Sequence, residues 1–233
     1  PYNIIWINSC GKINICLISS LCQETEKCHC FRQAIIDLLY MQSNLREVLQ
    51  TENFSTFSMD YYSRRITDPV TGLTAAQTAR RAVDECKRFV KDFDQKFENI
   101  FLYGDTGLGK TFLSHCIAKE LIEQSFSVIY FTASQLFDIF AKNRFDKDPS
   151  AELDYEHIYD CDLLIIDDLG TEFKTQFSTT AIYNLFNSRI NAGKPMIINT
   201  NLTGIELADT YSERFNSRVM MSCDQLNFIG TDI

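Results

Sequence analysis

The sequence predicts an α/β fold in which helices cover both faces of a parallel sheet. Two observations lead to this prediction. Short apolar runs alternate with amphipathic stretches over residues 100–229, and capping or terminating residues such as Ser134 and Gly193 separate them. Strands that alternate with helices are typical of a parallel sheet buried between two helical layers.

The individual elements follow from apolar spacing and from residues that begin or end helices. Residues 1–23 show neither helical nor alternating periodicity, so no element is predicted there. Residues 31–49 carry apolar side chains at the spacing of one or two amphipathic helices. The remaining elements are a helix from Thr74 to about residue 93, strands over 100–103, 127–132, 162–168, 195–200 and about 225–229, helices over 111–124, 134–144 (capped by Ser134) and 178–191, and two short helices near 203–221.

Composition and charge limit the function classes. Of the 233 residues, 45% are hydrophobic and 23% charged, which excludes a disordered chain, a collagen-like repeat and a bundle of membrane spans. The formal net charge is −9, and residues 99–233 carry the whole excess, with 19 acidic against 10 basic side chains. Binding duplex DNA through counterion release needs many clustered cations. A broad basic coat is therefore not expected, and any nucleic-acid contact must be local.

The length predicts one full domain and one small one, at about 150 residues per domain. We predict a small helical amino-terminal module over residues 1–50, a linker over residues 51–73 that ends in a turn at residues 69–72, and a nucleotide-binding domain over residues 74–233. No signal peptide and no membrane span is expected, so we expect a cytoplasmic protein. Because the chain begins with Pro1 rather than Met, we expect an incomplete or processed product.

The strongest motif is the G-x-x-x-x-G-K-T pattern of residues 104–111. Its glycines let the backbone turn so that successive N–H groups surround a phosphate, and the following helix adds its positive end. Lys110 reaches the β- and γ-phosphates and the Thr111 hydroxyl ligates Mg²⁺. A coincidental glycine-rich turn is the alternative, which the preceding apolar strand and the following amphipathic helix disfavour. The predicted phosphate-binding residues are Gly104, Asp105, Thr106, Gly107, Leu108, Gly109, Lys110 and Thr111.

A second motif places two carboxylates, Asp167 and Asp168, at the end of the apolar run LLII. Carboxylates beside a buried strand are costly unless a cation or base chemistry uses them. We predict that Asp167 holds Mg²⁺ through water and that Asp168 orients or deprotonates the attacking water. Ordinary solvated acids are the alternative. Together the two motifs predict nucleotide binding and hydrolysis.

Two further groups of residues have competing interpretations. Asn201 follows the strand at residues 195–200 and either positions water against the γ-phosphate or caps a turn. Arg214 and Arg218 lie four residues apart on one helical face. They either act on a neighbour's γ-phosphate or form a surface salt bridge with Glu213 or Asp209.

The order of these motifs resembles that of bacterial replicative helicase loaders of the DnaC/DnaI type, in the AAA+ superfamily. The resemblance covers residues 27–233, and it implies an AAA+ P-loop NTPase sheet without a C-terminal helical lid. The segments that carry it are 104–111, 162–172 (DLLIIDDLGTE), 198–202 (INTNL), 212–219 (SERFNSRV), 27–33 (KCHCFRQ) and 52–57 (ENFSTF).

The resemblance also implies a function and site roles. The chain would be an ATPase that loads the replicative hexameric DNA helicase onto single-stranded DNA during replication initiation, with ATP and Mg²⁺ as cofactors. Residues 1–50 would bind the helicase, and copies of the chain would assemble into a homo-oligomer in the ATP-bound complex. Asn201 becomes the sensor asparagine and Arg218 the arginine finger, with Arg214 as its substitute.

The amino end departs from the pattern of these loaders, which begin a zinc module with a C-x-x-C pair. Five of the nine cysteines lie in the first 30 residues, but no C-x-x-C occurs among them. In a reducing cytoplasm such clustered thiols favour a metal over disulfides. Zinc needs four ligands in tetrahedral reach. The candidate set is Cys16, Cys22, Cys28 and Cys30.

A local basic cluster marks a candidate site for single-stranded DNA, after the second strand of the domain. Lys142, Arg144 and Lys147 lie close in sequence to Phe140 and Phe145, and cations with aromatic rings are the usual combination for binding a single strand. A solvated helix end is the alternative.

Three other functions compete with helicase loading. A transposon-type ATPase helper that binds DNA shares the ATPase motifs but lacks a zinc module. A small-molecule kinase needs a basic lid over the phosphates, and residues 145–172 are acidic instead. A nucleotide-binding adaptor would keep the loop without hydrolysing ATP.

Overall fold

The structure is a computed structural model, and it describes residues 3–7, 13–17, 43, 45, 47–146 and 149–231. Two antiparallel strands, β1 (Asn3–Ile7) and β2 (Ile13–Leu17), pair with Ile5 opposite Ile15. No element was predicted there, because polar and apolar residues do not alternate strictly in either segment. The amphipathic helices predicted for residues 31–49 lie largely outside the described residues.

Within the part of the chain that the structure describes, the central sheet has five strands in the order β4-β5-β6-β3-β7. All four pairings are parallel, which confirms the predicted sheet class. The strands match the five predicted apolar runs to within one or two residues. Their bounds are Ile100–Gly104 for β3, Val128–Thr132 for β4, Leu163–Leu169 for β5, Met196–Thr200 for β6 and Asp224–Phe228 for β7.

Seven α-helices connect and cover these strands within the described residues. The first begins at Thr74, whose side chain and that of Gln77 cap each other's backbone N–H groups. The helices are α1 (Ala75–Asp92), α2 (Lys110–Glu123), α3 (Ala133–Ala141), α4 (Pro149–Asp160), α5 (Gln176–Asn191), α6 (Gly204–Thr210) and α7 (Glu213–Ser222). None of the described helices is long and apolar enough to cross a bilayer.

The region after β4 differs from the prediction. Thr132, not Ser134, caps α3, because its side chain accepts from the N–H of Gln135. The helix ends at Ala141 and continues as one π-helical turn over Lys142–Asp146. The unpredicted helix α4 follows, with Ile158 buried. Its sparse apolar residues gave little periodic signal.

Alternate residues of each strand pack on opposite faces of the sheet, so both faces are buried. In β3, Ile100 and Leu102 join the core formed with α1 and α2, whereas Phe101 joins the core on the opposite face, formed with α3 to α7. In β6, Ile197 and Ile198 divide in the same way. The two-layer burial explains why the strands read as continuous apolar runs.

Residues 51–73, expected to be a linker, pack against the α/β domain. Tyr62 is buried, and the ring of Phe57 lies 5.8 Å from that of Tyr62 and 5.5 Å from that of Phe112 in α2. The expected turn at residues 69–72 is present, because the carboxylate of Asp68 accepts from the N–H groups of Val70 and Thr71. Aromatic side chains give this segment a tertiary anchor that local sequence pattern does not reveal.

Candidate functional site

The glycine-rich loop joins β3 to α2 in backbone conformations that favour glycine. Gly104, Gly107 and Gly109 have φ angles of 130°, 74° and 85°. A Cβ atom on Gly104 would lie 2.1 Å from the carbonyl oxygen of Phe228, closer than any van der Waals contact allows. Gly109 precedes the first turn of α2, so the loop ends where the free N–H groups of that helix begin.

Backbone carbonyl groups of the loop hold the side chain of Lys110 in place. Its Nζ donates to the carbonyl oxygens of Gly104 at 2.8 Å and Asp105 at 2.7 Å. Burial lowers the pKa of Lys110, while the charges of Asp168, Asp167 and Asp105 oppose that shift. The ammonium therefore lies at the loop with acidic groups around it.

Asp167 lies at the centre of a buried hydrogen-bond network at the end of β5. The Thr111 hydroxyl donates to its Oδ2 at 2.9 Å, and the Tyr130 hydroxyl donates to the same oxygen at 2.6 Å. Its Oδ1 accepts from Nδ2 of Asn199 at 2.7 Å, and Oδ1 of Asn199 accepts from the Ser114 hydroxyl at 3.0 Å. The carboxylate is thereby fixed beside the first turn of α2.

Asp168 points away from this network because the backbone changes direction there. The register between β5 and β6 shifts between Ile166 and Leu169, and Asp168 has a φ of 53°, which a non-glycine residue rarely adopts. The side chain is exposed and borders the cavity beside Lys110. Partial desolvation of the carboxyl group at the cavity edge and repulsion from Asp167 raise the pKa of Asp168, and Lys110 opposes the shift.

A cavity of about 520 Å³ lies in front of these groups. One part of its wall is the phosphate loop and the start of α2, and another is formed by Asp168 and Asn201. The remaining wall comes from the segment before α1 and is largely aromatic. Its residues are Thr56, Phe57, Ser58, Tyr61 and Tyr62. The cavity is thus lined both by the phosphate loop and by aromatic side chains of this segment.

Asn201 borders the cavity, and the cap of the following helix is Thr203, whose side chain accepts from the N–H of Glu206. Thr203 rather than Asn201 therefore caps that helix. Asn199 and Tyr130, which sequence reasoning did not select, are the residues that bond Asp167 directly. A polar residue inside the apolar run of β6 was the only sequence signal for Asn199.

Arg214 and Arg218 lie outside the cavity. Both are exposed on α7, whose opposite side buries Phe215 and Val219. The guanidinium of Arg214 lies 4.9 Å from the ring centroid of Tyr183. Among the described residues, neither arginine forms an ion pair with Glu213 or Asp209, so the expected alternative of a surface salt bridge is not observed.

The candidate DNA cluster is only partly assembled as expected. Lys142 and Arg144 are exposed, and the guanidinium of Arg144 lies 5.4 Å from the ring centroid of Phe177. Phe140 is buried against Tyr155, so the expectation that it stacks on DNA is wrong. Lys147 and the side chain of Phe145 lie outside the described part of the chain.

The zinc prediction falls outside the described residues. Cys22, Cys28 and Cys30 are not described, and of Cys16 only its place in β2 is. Among the described residues there is no group of three or more His, Cys, Asp or Glu side chains that would hold a metal.

Comparisons with known proteins identify the family of the chain. The bacterial DnaA ATPase domain family matches residues 70–224. The chromosomal replication initiator protein DnaA of Campylobacter fetus is 30% identical over 122 residues, 52% of this chain and 27% of that protein. The replicative helicase loader DnaC of Escherichia coli K12 is 23% identical over 140 residues, 60% of this chain and 57% of that protein. The chain therefore spans just over half of one relative and about a quarter of the other.

Two solved structures share the fold. A crystal structure of the DnaC helicase loader superposes with a TM-score of 0.60 at 20% identity, covering 78% of this chain and 99% of that one. DnaA bound to AMPPCP and single-stranded DNA superposes with a TM-score of 0.57 at 22% identity, covering 65% of this chain and 46% of that one. These similarities confirm the resemblance to DnaC-type loaders. The chain belongs to the bacterial DnaA ATPase domain family and has the AAA+ fold of those loaders.

Proposed function

We propose that the chain is an ATP-dependent loader that places the replicative hexameric DNA helicase on single-stranded DNA during replication initiation. ATP binding and hydrolysis would control delivery and release of the helicase. The observation that carries the proposal is the contact of 2.9 Å between the Thr111 hydroxyl and the Asp167 carboxylate, directly beside the phosphate loop. Membership of the DnaA ATPase domain family and the fold shared with DnaC support it.

The two kinds of lining residue suit the two parts of ATP, its phosphates and its base. Backbone N–H groups of residues 104–111 and the ammonium of Lys110 would bind the phosphates. The aromatic wall that includes Phe57, Tyr61 and Tyr62 would cover the base. A hydroxyl and a carboxylate are oxygen donors of the type that Mg²⁺ prefers, so Thr111 and Asp167 fit the ion that accompanies ATP. The ion would neutralise charge on the β- and γ-phosphates.

Hydrolysis needs a group that handles the attacking water. Asp168 and Asn201 both border the cavity, where Asp168 would accept the proton of the water and Asn201 would orient it. Arg218 would reach the γ-phosphate of a neighbouring copy, because it is exposed and lies outside its own cavity. The active form is then a homo-oligomer.

The helicase and DNA contacts are proposed for other parts of the chain. Residues 1–50 would bind the helicase, and the exposed Lys142 and Arg144 would contact single-stranded DNA, with the cytoplasm as the site of action. The acidic balance of residues 99–233 supports a contact of this local kind.

A helicase-binding assay with and without ATP tests the proposal. Lys110→Ala removes the charge at the loop, and Lys119→Ala is a matched control on the same helix, where Lys119 pairs with Glu123 at 3.0 Å. We expect Lys110→Ala to keep part of its affinity for the helicase but to lose ATP-dependent delivery to single-stranded DNA. ATP-dependent delivery by Lys110→Ala at the level of the control would contradict the proposal.

A further inference from the structure

Two contacts tie the segment that precedes α1 to the surroundings of Asp167. The carbonyl oxygen of Ser43 accepts from the backbone N–H of Tyr130, on the edge strand β4, at 3.3 Å. The carboxylate of Glu52 lies 2.6 Å from Nδ1 of His115 in α2. The two contacts involve neighbouring residues, because the ring centroids of His115 and Tyr130 lie 5.2 Å apart.

His115 is held between these neighbours. It follows Thr111 by four residues, so the two side chains lie on one face of α2. Its side chain is 7% exposed, and Glu52 accepts a hydrogen bond from Nδ1–H. Its Nε2 has no hydrogen-bond partner in the part of the chain that the structure describes. Glu52 is therefore the polar contact that orients this ring.

Tyr130 in turn orients Asp167. Its hydroxyl donates to the same carboxylate oxygen that receives the Thr111 hydroxyl, at 2.6 Å against 2.9 Å. A tyrosine hydroxyl is ordinarily protonated at neutral pH, so Tyr130 acts as the donor and the Asp167 carboxylate as the acceptor. Hydrogen-bonded neighbours of a metal-binding carboxylate fix its orientation, and their loss reduces metal affinity or activity by about 10- to 100-fold.

We propose that Tyr130 is a positioning residue for Asp167 and that the Glu52–His115 pair positions Tyr130, so that residues 43–57 set the magnesium affinity of the nucleotide site. The identification of the ligand as Mg·ATP rests on the proposed function. The consequence of the proposal is regulatory. A partner that binds the amino-terminal segment and separates Glu52 from His115 would weaken magnesium binding and slow hydrolysis without touching the nucleotide.

Tyr130→Phe tests the first step, because it removes the hydroxyl and keeps the ring. Binding of a fluorescent ATP analogue is measured in EDTA and then as a function of Mg²⁺ concentration. We expect unchanged affinity in EDTA, and a rise of about 10-fold in the Mg²⁺ concentration at half-saturation. Tyr159→Phe is the matched control, since that half-buried tyrosine makes a hydroxyl–hydroxyl contact of 3.2 Å with Tyr155. A folded Tyr130→Phe variant with the magnesium requirement of the control would overturn the proposal.

Glu52→Gln tests the second step. It should shift the magnesium requirement in the same direction by a smaller factor. The double variant Glu52→Gln/Tyr130→Phe should require no more magnesium than Tyr130→Phe alone, because both changes act through one hydroxyl. If the two increases in the required Mg²⁺ concentration multiply in the double variant, the two residues act independently. That result would refute the proposal that Glu52 acts through Tyr130. A wild-type chain that binds no nucleotide at all would instead refute the proposed function itself.

Discussion

The hydroxyl of Tyr62 donates a hydrogen bond to the backbone carbonyl oxygen of Leu108 at 2.9 Å. Leu108 lies in the middle of the phosphate loop and is 1% exposed, so the segment before α1 supplies the partner of a buried backbone group there. The same segment forms the aromatic wall of the cavity. The loop is thus shaped by a residue more than 40 positions away in the sequence.

Tyr62→Phe should destabilise the loop while keeping the contact between the rings of Tyr62 and Phe57. The buried carbonyl of Leu108 loses its partner, and we expect a loss of about 1–3 kcal/mol in the free energy of unfolding. Chemical denaturation measures this loss. Tyr61→Phe is the control, because Tyr61 is 65% exposed at the same cavity. Equal stability of the two variants would contradict the assigned role of the hydrogen bond.

Gly104→Ala should lower the stability of the fold more than an alanine substitution at another glycine with a positive φ. At Gly193, which has a φ of 65°, a Cβ would meet nothing within 4 Å. Alanine there costs only backbone strain, about 1–2 kcal/mol. At Gly104 the clash with the carbonyl oxygen of Phe228 adds a free-energy cost of about 1–3 kcal/mol, as overpacking does elsewhere. Thermal unfolding of the two variants compares them, and a Gly104→Ala melting temperature at or above that of Gly193→Ala would refute the steric argument.

Asp168→Asn should separate stability from activity. Because the pKa of Asp168 is raised in the folded chain, its charged form destabilises the fold above that raised pKa. The penalty disappears below the unfolded value of about 3.9. We therefore expect the variant to be more stable than wild type at pH 7, with a gain that vanishes as the pH falls below that value.

The same variant should hydrolyse ATP about 10²-fold more slowly or worse, because an amide accepts no proton from water. Denaturation across pH and a phosphate-release assay measure the two effects. Asp84→Asn, at an exposed position of α1, is the control for both. Wild-type turnover by Asp168→Asn would remove Asp168 from the proposed chemistry.

Arg218→Ala should keep nucleotide affinity but lose hydrolysis stimulated by helicase and single-stranded DNA, by about 10³-fold or more. Mixing it with Lys110→Ala should restore part of the activity, because some interfaces then join an intact cavity to an intact Arg218. Arg214→Ala, whose arginine stacks on Tyr183, is the control. If stimulated hydrolysis survives in Arg218→Ala alone, the residue is not the arginine finger.

Much of the fold and part of the site could be predicted from the sequence. The phosphate loop and Asp167 belong to contiguous motifs, and the rule that parallel strands end at one edge brings them together. The contact between Thr111 and Asp167, at 2.9 Å, agrees with that expectation. The start of α1 was also predicted correctly, because its capping residues Thr74 and Gln77 lie within one turn of each other.

The rest depends on strand order and tertiary packing, which local pattern does not encode. Tyr130 reaches Asp167 only because β4 pairs with β5 in a register that sets Tyr130 opposite Ile165. Residues 51–73 looked like a linker because their aromatic side chains are irregularly spaced, and their partners lie in α2 and the loop. Helix α4 was missed because its apolar positions are too few to give a period.

We expect the phosphate loop, Thr111 and Asp167 to bind Mg·ATP together. Calorimetric titration of the chain with ATP, first in Mg²⁺ and then in EDTA, measures this binding. We expect one saturable site whose affinity falls when Mg²⁺ is removed, and a loss of that dependence in Asp167→Ala. Absence of binding heat, or equal affinity with and without Mg²⁺ in the wild-type chain, would contradict this expectation.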